Sequence, residues 1–200
     1  GLWSEARPLA KRWLDVFRGD RYIVAPSGSC ASMVKVFYPE LFRDDPIRLQ
    51  EARDVGSRVF ELSEFIVDIL GAGDFARHVG ESRTSVAGRV AYHEACHLRR
   101  ELGVVAQPRA LIGSLPGVEL VEMGQADVCC GFGGTFSVKY PDISGAMLQD
   151  KIDAVRDTGA DRLVSCDCSC LMHIAGGMER QSVDVRSLHI AQLLDEALGP

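Results

Sequence analysis

Behind Ser4, apolar residues recur every three or four positions in "EARPLAKRWLDVF", a period that predicts an amphipathic helix with Ser4 as its cap. "RYIVAP" then reads as a short buried strand closed by proline. Helical spacing returns in "ASMVKVFYPELF", over 46–58 and in "LSEFIVDIL". The stretch 71–88 is rich in glycine and polar residues and has no apolar period, which predicts a connector. Beyond it come a strand "RVAYH", helical turns after Cys96, a strand "VELVEM" and a glycine-rich loop "CCGFGG". A helix "ISGAMLQDKIDAVRDTG", a strand "DRLVS" and a closing helix "LHIAQLLDEAL" complete the pattern. Strands separated by helices predict an α/β fold with mostly parallel sheets flanked by helices.

The pattern also repeats. Shifting the numbering by 140 lays "RYIVAPSGSC" on "DRLVSCDCSC" and matches Val24 with Val164, Ser29 with Ser169 and Cys30 with Cys170. In both places a helix with a similar apolar stripe precedes the strand and a loop ending in Ser-Cys follows it. The expectation is two pseudo-repeated halves, 1–70 and 89–200, joined by the connector 71–88. Duplication would place the first half's counterparts of Cys96 and of the Cys-Cys pair before Gly1. The chain opens without methionine and almost inside a helix, so an N-terminal truncation is expected, with a homodimer through the sheet edge it would expose.

Composition narrows the classes. An apolar fraction of 46% and a charged fraction of 25% are those of a globular chain. The formal charge of −6, with no basic cluster, argues against nucleic acid as a partner. No apolar run approaches the roughly eighteen residues of a membrane span and no basic-then-apolar leader opens the chain, so a cytoplasmic location is expected. Seven cysteines are an odd number, and several are adjacent or alternate, which points to metal or redox chemistry rather than a disulfide framework.

Thiolates are soft ligands that select zinc, copper(I) and iron–sulfur clusters. Cys96, Cys129, Cys130 and Cys170 each follow a predicted strand or sit in a glycine-rich loop, and such loops converge at the carboxyl edge of a parallel sheet. These four are the candidate metal ligands. Gly131, beside two of them, suits a loop whose backbone approaches a bulky group and donates N–H to sulfur. Cys166 and Cys168 are weaker candidates; in an extended strand they would point the same way as Cys170. Cys30 would belong to the first half's site. Asp167 either accepts a hydrogen bond near the metal or caps a following helix, the cap being favoured. His97 and His173 are candidates for hydrogen bonding around the thiolates, and His93 is expected to end a strand as a structural residue. Zinc stays a competitor, though the close Cys-x-x-Cys pairs it usually takes are missing.

The order "YHEACH", "CCGFGG", "SCDCSCL", with 32 residues between Cys96 and Cys129 and 36 between Cys130 and Asp167, resembles the cysteine-rich CCG-domain family. That family includes the cysteine-rich component of heterodisulfide reductase, the glycolate oxidase iron–sulfur subunit and the lactate utilisation proteins. "APSGSCASMVKVFYPELF", "CCGFGGTFSVKYPDISGAMLQDKI" and "CLMHIAGG" are most similar to the lactate utilisation branch. The resemblance implies an iron–sulfur electron-transfer subunit of an L-lactate oxidation system, with a 4Fe-4S cluster. Its implied partners are the other subunits of that system, a ferredoxin-like iron–sulfur protein among them. Where the heterodisulfide branch has a Cys-x-x-Cys pair, this chain has Asp167 and Cys170. Two rival functions stay open: a zinc-stabilised or metal-free scaffold, and a cluster-dependent disulfide reductase component.

Overall fold

The computed structural model describes residues 1–78 and 86–199, so part of the expected connector, 79–85, lies outside the described residues. The first elements are α1 (Trp3–Phe17), β1 (Ile23–Ala25) and α2 (Gly28–Ser32). Helix α2 continues through a π-helical turn, Met33–Phe37, into α3 (Tyr38–Leu41). α4 (Pro46–Gly56), β2 (Val59–Glu61) and α5 (Leu62–Glu64) follow, then a second π-helical turn, Phe65–Ile69. Helix α1 starts at Trp3, which puts Ser4 inside the first turn rather than at the cap. It buries Ala10 and Leu14, four apart on one face, as the apolar period requires.

The remaining elements are β3 (Gly88–His93), α6 (Cys96–Arg100), α7 (Ala106–Gly113), β4 (Val118–Val121), α8 (Thr135–Lys139) and α9 (Pro141–Thr158). The chain closes with β5 (Arg162–Ser165), α10 (Cys168–Arg180), β6 (Arg186–His189) and α11 (Ile190–Leu198). Every strand pairing among the described residues is parallel: β1 with β2 in one sheet, and β4-β3-β5-β6 in the other. This is the expected α/β class, with helices flanking parallel sheets.

Two apolar clusters result. One gathers Leu14, Ile23, Val34, Val55 and Val59; the larger surrounds the four-stranded sheet with Tyr92, Leu111, Ile152, Leu163, Val164, Ile174 and Leu193. Leu102 packs against both. Helices α2 and α6 also approach closely, because Gly28 has no side chain: a Cβ there would lie 2.7 Å from Leu98 Cβ.

The Ser-Cys segments differ from expectation. Ser29–Cys30 and Ser169–Cys170 lie in the first turns of α2 and α10, not in loops. Strand β5 stops at Ser165, so Cys166, Cys168 and Cys170 do not alternate along an extended strand; helical turning sends them to three different surroundings.

Candidate metal centre

Register brings the candidate residues together. His93, the last residue of β3, is paired with Ser165, the last of β5, so the residues that follow each strand emerge side by side at the sheet's carboxyl edge. One exit delivers Cys96 at the start of α6; the other delivers Cys170 in the first turn of α10. The 129–134 loop closes over them. A cavity of about 230 Å³ is lined by Cys96, Cys129, Cys130 and Cys170, together with His97, Phe132, Gly133, Gly134, Asp167, Ser169 and Ser29 of α2.

Within this cavity Cys96 touches Cys129, Cys129 touches Cys130, and Cys130 touches Cys170. No disulfide joins them. The Cys129 thiol is held well below the usual thiol range because the Cys130 and Cys96 thiols hydrogen-bond to it, helped by the Gly131 N–H at 3.4 Å from its sulfur. Cys130 and Cys96 are pushed up, each first by the Cys129 sulfur it faces; the Cys170 thiol then raises Cys130 further, and burial adds to both. Of Cys96, Cys129 and Cys130, it is Cys129 whose surroundings favour the thiolate. Thiolate is the form that binds metal.

Gly131 is required where it stands. Its φ is +89°, and a Cβ would meet the Ser144 carbonyl oxygen at 2.8 Å and Met147 Cβ at 2.9 Å. Ser144 of α9 fixes the loop by donating its hydroxyl to the Gly131 carbonyl at 2.8 Å. His173 Nε2 lies 3.5 Å from that same hydroxyl, so it supports the loop from behind rather than facing the thiols. His97 lines the cavity, with Nδ1 2.5 Å from Glu101.

Asp167 caps two helices at once. One carboxylate oxygen accepts from the Ser169 N–H at 3.1 Å, the Ser169 hydroxyl at 2.6 Å and the Cys170 N–H at 3.4 Å. The other accepts from the Ser27 hydroxyl at 2.9 Å and the Ser29 N–H at 3.0 Å. Burial alone would raise this carboxyl; the hydrogen bonds from Ser169, Ser29 and Ser27 outweigh it and hold it below the usual carboxylate range.

The other thiols stand apart. Cys166 is fully buried, 3.7 Å from the Tyr92 hydroxyl, with burial raising its pKa. Cys168 and Cys30 are exposed and line no part of the cavity.

Two further residues belong to the site. His93 does end its strand, yet it is 0% exposed, neither ring nitrogen has a hydrogen bond of good geometry, and a ring nitrogen lies within 4.8 Å of both the Cys130 and Cys170 sulfurs. Burial, then the Lys151 charge, pushes its pKa down to about 3, against a smaller upward pull from Cys129, Asp167 and the nearby Ala126 carbonyl. Lys151 on α9 is 2% exposed and donates from Nζ to the Gln125 carbonyl at 2.5 Å. Burial lowers its pKa, opposed by the sulfurs of Cys130, Cys129 and Cys170 and by Asp127. The sequence does carry a signal for Lys151: Ser144, Lys151, Ile152 and Val155 share the buried stripe of one helix, and a lysine on such a stripe needs an anionic reason.

Comparison with known proteins finds a family and close relatives for the chain. The family model of the CCG cysteine-rich domain matches residues 90–175, which hold all four converging thiols. Proteins called lactate utilization protein A are similar over nearly the whole chain. The one from Oceanobacillus iheyensis is 40% identical over 195 residues, 98% of this chain and 77% of the relative. That from Bacillus cytotoxicus is 42% identical over 98% of this chain and 78% of its own length, and that from Bacillus subtilis 38% identical over 98% and 79%.

Proposed function

The chain belongs to the lactate utilization protein A family, and from that premise we propose that it acts in lactate utilisation as an iron–sulfur electron-transfer subunit. The observation that carries the reading is the convergence of four thiols on one glycine-walled cavity. At about 230 Å³ it has several times the roughly 30 Å³ share of one water, room that a lone ion does not need.

Cys96, Cys129, Cys130 and Cys170 would hold the group, which when bound supplies one-electron redox chemistry at a potential set by its surroundings. The chain's own part is legible in the residues. Cys129 provides a ready thiolate. Gly131 lets the backbone approach and turns its N–H toward sulfur. Lys151 sets a buried positive charge against several thiolates, offsetting the repulsion of gathering them. Asp167 is committed to five donors on two helix ends, which supports reading it as a cap rather than as a ligand replacing the cysteine of the heterodisulfide branch. We assign its partners to the same lactate-oxidising system, a ferredoxin-like iron–sulfur protein included.

One observation favours a second reading, a single zinc ion: the donor atoms of His93, Cys130 and Cys170 all lie within 4.8 Å of one another. Iron, zinc and acid-labile sulfide assays on protein purified without oxygen separate the two. Near-stoichiometric iron and sulfide, with visible absorption that bleaches on reduction, is the expected result. Serine at any of Cys129, Cys130 or Cys170 should then remove most of that absorption. Zinc alone, with no sulfide after anaerobic reconstitution, overturns the iron–sulfur reading.

A further inference from the structure

We propose that a ring nitrogen of His93 is itself a ligand of the metal centre, bound alongside Cys130 and Cys170. The inference rests on reading the cavity as a metal centre, and adds a nitrogen donor to a set otherwise made only of sulfur.

Two features carry it. First, His93 is 0% exposed and both its ring nitrogens lack a hydrogen bond of good geometry, whereas buried polar groups are nearly always satisfied. Second, the missing partner has an obvious place, because a ring nitrogen and the sulfurs of Cys130 and Cys170 lie mutually within 4.8 Å.

The imidazole is also held in place. His93 ends β3, its backbone is locked in register against Ser165, and its carbonyl accepts the Ser165 hydroxyl at 3.0 Å. A neutral imidazole adds a donor to the centre without adding negative charge to the gathered thiolates.

Two measurements decide it. Wild-type protein labelled with 15N-histidine and reconstituted anaerobically with iron and sulfide is read by pulsed electron paramagnetic resonance in its paramagnetic state. The expected result is a 15N coupling of the size of a directly bound nitrogen, absent in the His93→Gln protein. In parallel, metal-free protein is titrated with Co2+, which reports thiolate and imidazole ligation in its absorption without any sulfide. His93→Ala should weaken Co2+ binding by about tenfold or more while circular dichroism stays that of the wild type. No 15N coupling in a wild type that does hold iron and sulfide, together with unchanged Co2+ affinity in His93→Ala, overturns the proposal and leaves the iron–sulfur reading standing. Failure to incorporate iron and sulfide, with the Co2+ loss still seen, does the reverse.

Discussion

Seven cysteines are chemically alike in the sequence and unlike in the fold. Cys170 sits in a helix's first turn against Cys130, whereas Cys166, four residues earlier, is sealed in the core under Tyr92. Substitution should separate them. Cys166→Ala is expected to leave metal content unchanged and to lower stability by about 1–2 kcal/mol through lost packing, read by denaturant unfolding. Cys170→Ala should abolish most metal binding, and Cys168→Ser, at an exposed position, should change stability by less than about 0.5 kcal/mol. A Cys166→Ala protein that loses its metal would refute this division. Spacing singles out the four thiols that converge, because two strand exits and one glycine loop are visible in the pattern. It could not single out His93 or rank Cys166, since the burial and orientation of a residue past a strand end depend on where that strand stops. Only pairing with a neighbour decides that.

Among the secondary-structure elements, helices α1, α4, α9 and α11 and the apolar strands β3 and β5 were readable; α10 was expected only as a helix for Asp167 to cap, and the short strands β2 and β6 were not read. Val59–Glu61 is three residues and Arg186–His189 carries a single large apolar side chain, too little for a period-two signal. Both are strands because a parallel neighbour, β1 or β5, supplies the hydrogen bonds. Each then hands its last residue to a helix as a cap: Glu61 to α5 and His189 to α11, both in capping boxes. Glu61 accepts from the Ser63 N–H at 2.8 Å, but its other oxygen, Oε1, is buried without a partner, and burial pushes the carboxyl pKa up. The sign follows from linkage. An acid whose folded pKa exceeds its unfolded value favours the fold fully below about pH 4.3. That contribution is lost as pH rises through the folded value. Glu61→Gln should therefore flatten the decline of stability above about pH 4.3 and raise stability at neutral pH by about 1 kcal/mol. Unfolding curves from acid to mildly alkaline pH check this; a steeper decline in the variant would count against it.

For the whole molecule, the Asp167 carboxylate links the start of α2 to the start of α10. The order helix, strand, helix, strand, helix occurs in α1–β1–α2/α3/α4–β2–α5 and again in α9–β5–α10–β6–α11. Ser27 and Asp167, 140 positions apart, precede the equivalent helices α2 and α10. That recurrence supports the two halves, 1–70 and 89–200, which we propose as the chain's units. Asp167 crosses between them, so removing it uncaps both helices. Asp167→Ala should cost roughly 1–4 kcal/mol, two caps at the usual 0.5–2 kcal/mol each. Amide exchange should accelerate at residues 29 and 169–170 together; protection lost at α10 alone would mean the bridge carries no weight. Ser29 also lines the thiol cavity, so the same loosening should speed loss of bound metal.

The proposed function depends on Cys96, Cys129, Cys130 and Cys170 jointly holding an iron–sulfur centre. Iron K-edge X-ray absorption on anaerobically reconstituted protein reads that coordination without intermediaries. Sulfur neighbours around iron together with an iron–iron scattering shell, both lost in Cys129→Ser and Cys170→Ser, are expected. Iron surrounded only by oxygen and nitrogen, or metal present solely as zinc, would be incompatible with such a centre.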